Sequence, residues 1–227
     1  MTTRDPLDYG WWLASRSAGV IAFLALSLSV LAGLTMALRL GSPRSRVALR
    51  ATHERIALLA LAAIGAHGLL LLGDTWLKAG VSGLLIPFTM SYRPVWTGIG
   101  VLATYLATAL SLSYYARARL GRRRWRLAHR FIPIAWGLAA VHVIGAGTDS
   151  GSLWLVIPLA ATMSGVLTLL SARLLASGRA RRPAADRAAP GPTAADPAPT
   201  VAAPLFERAA GEPAPAAEPE RLWASGA

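Results

Sequence analysis

Apolar residues run along the chain in five long, uncharged blocks separated by polar, arginine-rich stretches. The blocks lie at roughly 17–38, 56–73, 95–116, 131–147 and 153–172, and crossing a hydrocarbon core of about 30 Å takes about 20 helical residues. The pattern predicts an all-α membrane protein, a five-helix transmembrane bundle. The second and fourth blocks look short until flanking residues are counted, and His53 and His129 lie in those margins. The longest connection, 74–94, contains an apolar stretch from Val81 to Phe88 that is too brief to cross, so a surface or re-entrant segment capping the outer face is expected. The predicted organisation is an outer N-terminal tail at 1–16, a transmembrane domain at 17–175, and a disordered tail at 176–227 whose Ala, Pro and scattered charge cannot bury enough apolar area to fold.

Charge orients the bundle. The net charge is +12, but the basic residues cluster between helices and no nucleic-acid module interrupts the blocks, so nucleic acid is not an expected partner. Arg39, Arg44, Arg46, Arg50 and Arg55 flank the first connection, Arg117 to Arg130 fill the third, and Arg173, Arg179, Arg181 and Arg182 follow the last block. The opposite side carries only Arg4, Arg16, Lys78 and Arg93. The positive-inside rule then predicts an outside N-terminus and a cytoplasmic C-terminus, as a multi-pass protein of the cell inner (plasma) membrane. Met1 to Arg16 lacks the layout of a cleaved signal, which makes the first block a retained span. Cysteine is absent, which excludes disulfides, thiolate-bound clusters and covalent haem attachment through Cys-x-x-Cys-His.

Intramembrane ionisable residues are costly, so they point to function. The chain has four histidines. His53 and His67 are fourteen residues apart on the second span, and His129 and His142 thirteen apart on the fourth. These intervals amount to about 20 Å of helix, most of the hydrocarbon thickness. Both host helices run in the same direction, so His53 and His129 share an inner level and His67 and His142 an outer one. A haem iron with two axial imidazoles from facing helices satisfies each level, giving two b-type haems. The other chemistry open to these residues is transition-metal transport or sensing, since imidazole also binds zinc, copper and nickel. Against it stand the separation of the two levels and the lack of a second set of ligands. Fourteen residues at about 100° return to within about 40° of the starting face, whereas thirteen leave about 140°. The fourth helix is therefore expected to be distorted, with Pro133 as the cause.

These residues resemble the ferric reductase-like transmembrane domain, shared by ferric reductases, the membrane part of NADPH oxidases and the haem subunit of the bacterial methionine sulfoxide reductase system. The likeness covers about 15–175. It rests on the fourteen- and thirteen-residue intervals and on MSYRPVW at 90–96, RLGRRRWRLAH at 119–129 and HVIGAGTDS at 142–150, which look like the actinobacterial branch. The resemblance implies haem ligation by His53 with His129 and by His67 with His142. It also implies one-electron transfer from a cytosolic reduced flavin, through inner and outer haems, to an acceptor. Unlike fused reductases, the sequence has no flavin or nucleotide pattern, so an oxidoreductase membrane subunit served by a separate flavoprotein or other cytosolic donor is expected, with a quinone admissible at either end.

Supporting roles follow. Arg55 and Arg130, with Arg50 and Arg126, are placed to neutralise propionates of the inner haem. Tyr92 and Arg93 are candidates for an outer contact, with a simple turn before Pro94 as the other reading. Trp136, midway between His129 and His142, is either a relay between haems or packing.

Overall fold

The computed structural model describes residues 6–148 and 151–188, with side chains at 9–148 and 151–178. The described residues are helical: α1 (Pro6–Ala37), α2 (Pro43–Leu72), α3 (Gly80–Leu85), α4 (Pro94–Leu112), α5 (Arg117–Leu120), α6 (Arg122–His129), α7 (Ile132–Ala146) and α8 (Leu153–Ala188). Five spans are long and apolar enough to cross a membrane: Tyr9–Ala37, Pro43–Leu72, Pro94–Leu112, Arg122–Ala146 and Leu153–Gly178. The architecture is that of a multi-pass membrane protein. Residues up to Ala184 form one compact unit, which holds everything discussed below.

Local chemistry sets the helix ends. Ser42 caps α2 by accepting from the Ser45 N–H at 3.2 Å, and Pro43 follows at the position where a missing N–H costs nothing. Gly121, at φ +82°, supplies the left-handed turn between α5 and α6. The break between α6 and α7 falls directly after His129. Pro133 has no N–H to offer the His129 carbonyl one turn back, and its ring crowds that carbonyl. The chain responds with short bonds from Arg130 N to Leu127 O at 3.2 Å and from Phe131 N to Ala128 O at 3.0 Å. This is the distortion that the thirteen-residue interval requires.

α1 sits at the centre. Half of its most apolar window is buried (50%), against 11% to 22% for the other four spans, whose outward apolar faces are left for lipid. It is antiparallel to α2, while α4 is antiparallel to α7. The core lies where these helices meet: Phe23, Leu26, Val30 and Leu34 of α1 pack with Ala60 of α2, Trp136 and Ala140 of α7, and Leu159 and Val166 of α8. Alanines at the contacts let the backbones approach, which is how helices associate where lipid removes the hydrophobic driving force. Trp136 stacks on Phe23 at 6.3 Å and donates its Nε1–H to Ser27 Oγ at 2.9 Å. It is a satisfied core residue between the histidine levels.

The 74–94 connection is folded as a cap. Asp74 Oδ1 accepts from the N–H groups of Trp76 at 2.8 Å and Leu77 at 3.0 Å, closing a turn after α2. The six-residue α3 follows, held by Tyr105 donating to the Leu85 carbonyl and by Thr89 Oγ1 donating to Ser82 O. Arg93 Nη1 donates to Gly145 O at 2.6 Å and the Tyr92 hydroxyl to Ala146 O at 3.4 Å. They satisfy carbonyls at the α7 C-terminus, where a cation also complements the helix dipole.

Two expected boundaries move. The outer tail at 1–16 is helical from Pro6, and the tail at 176–227 is helical as far as Ala188. Alanine and arginine, both good helix formers, make up most of 172–188, and α8 continues past the apolar block despite Gly178 and Pro183. The rest of that tail, and Asp149 and Ser150 of the HVIGAGTDS stretch, lie outside the described residues.

Candidate cofactor site

The fold brings the four histidines together as two pairs. The His53 and His129 rings are 6.3 Å apart between centroids with planes at 89°, and the His67 and His142 rings 6.4 Å apart at 69°. A metal–nitrogen bond of about 2.0 Å plus about 1.1 Å to the ring centre puts two imidazoles on opposite sides of one metal ion at about 6.2 Å. Each pair has that separation.

The second ring nitrogen is tied down. His67 Nδ1 donates to the Ser15 carbonyl at 2.8 Å, His53 Nδ1 to the Ser29 carbonyl at 2.9 Å, and His142 Nδ1 to the Trp96 carbonyl at 2.9 Å. A carbonyl only accepts, so Nδ1 carries the proton and Nε2 keeps its lone pair. This arrangement orients metal-ligating histidines and raises their basicity. His129 differs: its Nδ1 is buried without a normal hydrogen bond, although the Leu110 carbonyl is the backbone group on that side. Its ring instead packs against Trp125 at 5.4 Å.

Glycines make room for the rings. A Cβ on Gly100 would come within 2.4 Å of His142 Nδ1, one on Gly19 within 3.0 Å of His67 Nδ1, and one on Gly33 within 3.4 Å of His53 Cε1. Between His67 and His142 lies a cavity of about 500 Å³ with mainly apolar walls, including Phe23, Val101, Ala107 and Val143, and with Arg16 and Tyr92 among its few polar lining residues. The size and lining suit a planar organic group held by two axial ligands.

Among the described residues no three His, Cys, Asp or Glu side chains gather to hold a metal ion. Each level offers two ligands, short of the four that zinc takes, so the donor set fits a metal whose other positions are filled by its own macrocycle. Arg55 and Arg130 are exposed at the His53–His129 level. Tyr92 reaches the cavity wall, whereas Arg93 is spent on the α7 terminus.

No protein-family model, curated protein or solved structure matches the chain. The site's chemistry therefore rests on its own geometry.

Ser15, Ser29, Gly19 and Gly33 carry a signal that the histidine pattern alone does not. SRSAG at 15–19 and SVLAG at 29–33 repeat the pattern Ser-x-x-Ala-Gly at a fourteen-residue interval, the interval of His53 and His67 on the antiparallel neighbour. The acceptors are backbone carbonyls, which sets an expected result for Ser15→Ala. It loses the hydroxyl's contacts with His67 O and with His67 Nδ1, both at 3.1 Å, but keeps the shorter carbonyl bond to Nδ1 at 2.8 Å. Its stability in thermal unfolding should fall by only about 1 kcal/mol. A loss above about 3 kcal/mol would mean that the hydroxyl, not the carbonyl, holds the ring.

Proposed function

We propose that the chain carries electrons across a membrane through two b-type haems, each held by two histidines. His53 and His129 hold one near the cytoplasmic side, and His67 and His142 hold the other near the outer side. The observation that carries this reading is the pairing of imidazoles at 6.3 and 6.4 Å, with Nδ1 of three of the four bound to a backbone carbonyl. The intervals and the motifs at 90–96, 119–129 and 142–150 support membership of the ferric reductase-like group.

Held between two histidines each, the haems would supply reversible one-electron chemistry. The protein's residues place and insulate. Ser15, Ser29 and Trp96 fix ring orientation through their carbonyls, and the Phe23–Trp136 stack fills the space between levels. The arginines of 117–130 and 39–55 orient that end toward the cytoplasm, where an electron donor on another polypeptide is expected, in the plasma membrane. The acceptor lies at the opposite end.

A dithionite-reduced minus oxidised spectrum with haem quantification on purified protein tests this: two haems per chain, with low-spin bis-imidazole bands, are expected. Bound zinc or copper without haem, or neither, would sink the proposal. The ring planes add a second outcome. Two imidazoles crossed at a large angle would, if they hold a haem iron, leave two iron d orbitals close in energy, so the ferric protein should give strongly anisotropic low-spin EPR signals. The His53–His129 haem, at 89°, should be the more anisotropic of the two.

A further inference from the structure

Trp125 holds a buried polar atom that the arrangement so far leaves unused. It lies four residues before His129 on α6, so the two side chains share a face, and their rings pack at 5.4 Å with planes at 32°. Tyr114 braces the indole edge-on at 5.8 Å, and the Arg117 guanidinium covers Tyr114 at 3.8 Å. Despite this packing, Trp125 Nε1 is buried with no hydrogen-bond partner among the described residues. Trp136, the other tryptophan packed into the bundle, has its partner in Ser27. A buried N–H left unpaired costs about 1–3 kcal/mol, and few native groups remain so. An acceptor is missing at this place, beside the histidine pair.

We propose that the Trp125 indole N–H donates to a propionate carboxylate of the haem between His53 and His129, fixing that haem's anionic edge toward the start of α6. The inference rests on the bis-histidine haem reading and names a cofactor contact beyond it. A macrocycle centred between His53 and His129 is broad enough to span the one turn of α6 that separates His129 from Trp125. Carboxylates are the strong acceptors that haem carries, and a bond from N–H to a charged acceptor exceeds one between neutral groups. Arg122, Arg123 and Arg124 at the same end favour the anionic edge there.

The test uses the full chain with His142→Ala, which confines haem to the His53–His129 level, and follows haem transfer to apomyoglobin. Trp125→Phe keeps an aromatic ring beside His129 and removes only the donor. With protohaem it should speed loss by about tenfold, the size of a hydrogen bond to a charged group. With haem dimethyl ester, whose propionates carry no charge, the same substitution should change loss by less than about twofold. Equal acceleration with both haems would assign Trp125 to packing and overturn the proposal, as would no acceleration with protohaem. The same substitution placed on His53→Ala should leave loss of the other haem unchanged. Faster loss there would mean general loosening and would also overturn it. A wild-type chain that binds no haem overturns the parent reading, and this contact with it, before any variant is made.

Discussion

Replacing His67 or His142 by alanine should each reduce haem content from two per chain to one, and the same haem should be lost in both. His53→Ala and His129→Ala should each remove the other. The expectation follows from the proposed haems and from the pairing across α2 and the α6–α7 helix, whose ring centroids lie 6.3 and 6.4 Å apart. On the two-haem reading, loss of one imidazole would leave its haem with a single histidine, and no histidine outside the two pairs and no cysteine stands among the described residues to replace it. Double substitutions sharpen the result. His67→Ala with His142→Ala should retain one haem, whereas His53→Ala with His67→Ala, which strips α2, should retain none. Pyridine haemochrome quantification with EPR of each variant reads this directly. Retention of one haem by the α2 double variant would show that the pairs are not the ones the rings form.

Much of this site was legible because histidine is rare here and its intervals obey helix geometry. Levels required only a rise per residue and a common direction for the second and fourth spans. The phase of the thirteen-residue interval required a break, and Pro133 placed it: the chain deviates between α6 and α7, directly after His129. Other parts are silent at residue level. The closest groups to Nδ1 are backbone carbonyls of Ser15, Ser29 and Trp96, which any residue type presents, although the Ser15 and Ser29 hydroxyls stand beside two of them at 3.1 and 3.2 Å. The Ser-x-x-Ala-Gly repeat is the exception, since small residues at a fourteen-residue interval leave room for two rings on the facing helix. Helix ends were legible only to the extent that apolarity marks them. α1 starts at Pro6 and α8 continues to Ala188, beyond the ends that hydropathy marks. Burial was not visible either. The first span has the highest mean hydropathy of the five, 2.3 against 2.0 or less, but that alone does not mark it as the central helix that supplies two of the carbonyl acceptors and the Phe23 face of the core.

The glycines beside the rings separate close packing from a general preference for small residues in membrane helices. Alanine is favoured over glycine in a helix by about 1 kcal/mol, so a glycine without a steric reason should accept the change with a gain. Gly137 on α7, where an added Cβ would meet nothing within 4 Å, is that control, and Gly137→Ala should keep both haems and melt no lower. Gly33→Ala meets His53 Cε1 at 3.4 Å, an ordinary contact, and should also keep both. Gly19→Ala presses on His67 Nδ1 at 3.0 Å, so the ring must move by a few tenths of an ångström against its 2.8 Å bond to Ser15 O. Gly100→Ala is the severe case. Its Cβ would lie 2.4 Å from His142 Nδ1, an atom already bound to Trp96 O at 2.9 Å, so the imidazole must leave that bond and its place opposite His67. Overpacking of this kind costs about 1–3 kcal/mol, about fivefold to hundredfold in affinity. The His67–His142 haem should therefore fall to low occupancy in Gly100→Ala while the His53–His129 haem stays full. Equal retention of both haems across the series would mean that His142 is not held where the Trp96 carbonyl and Gly100 place it, and that the second level is not a two-histidine site.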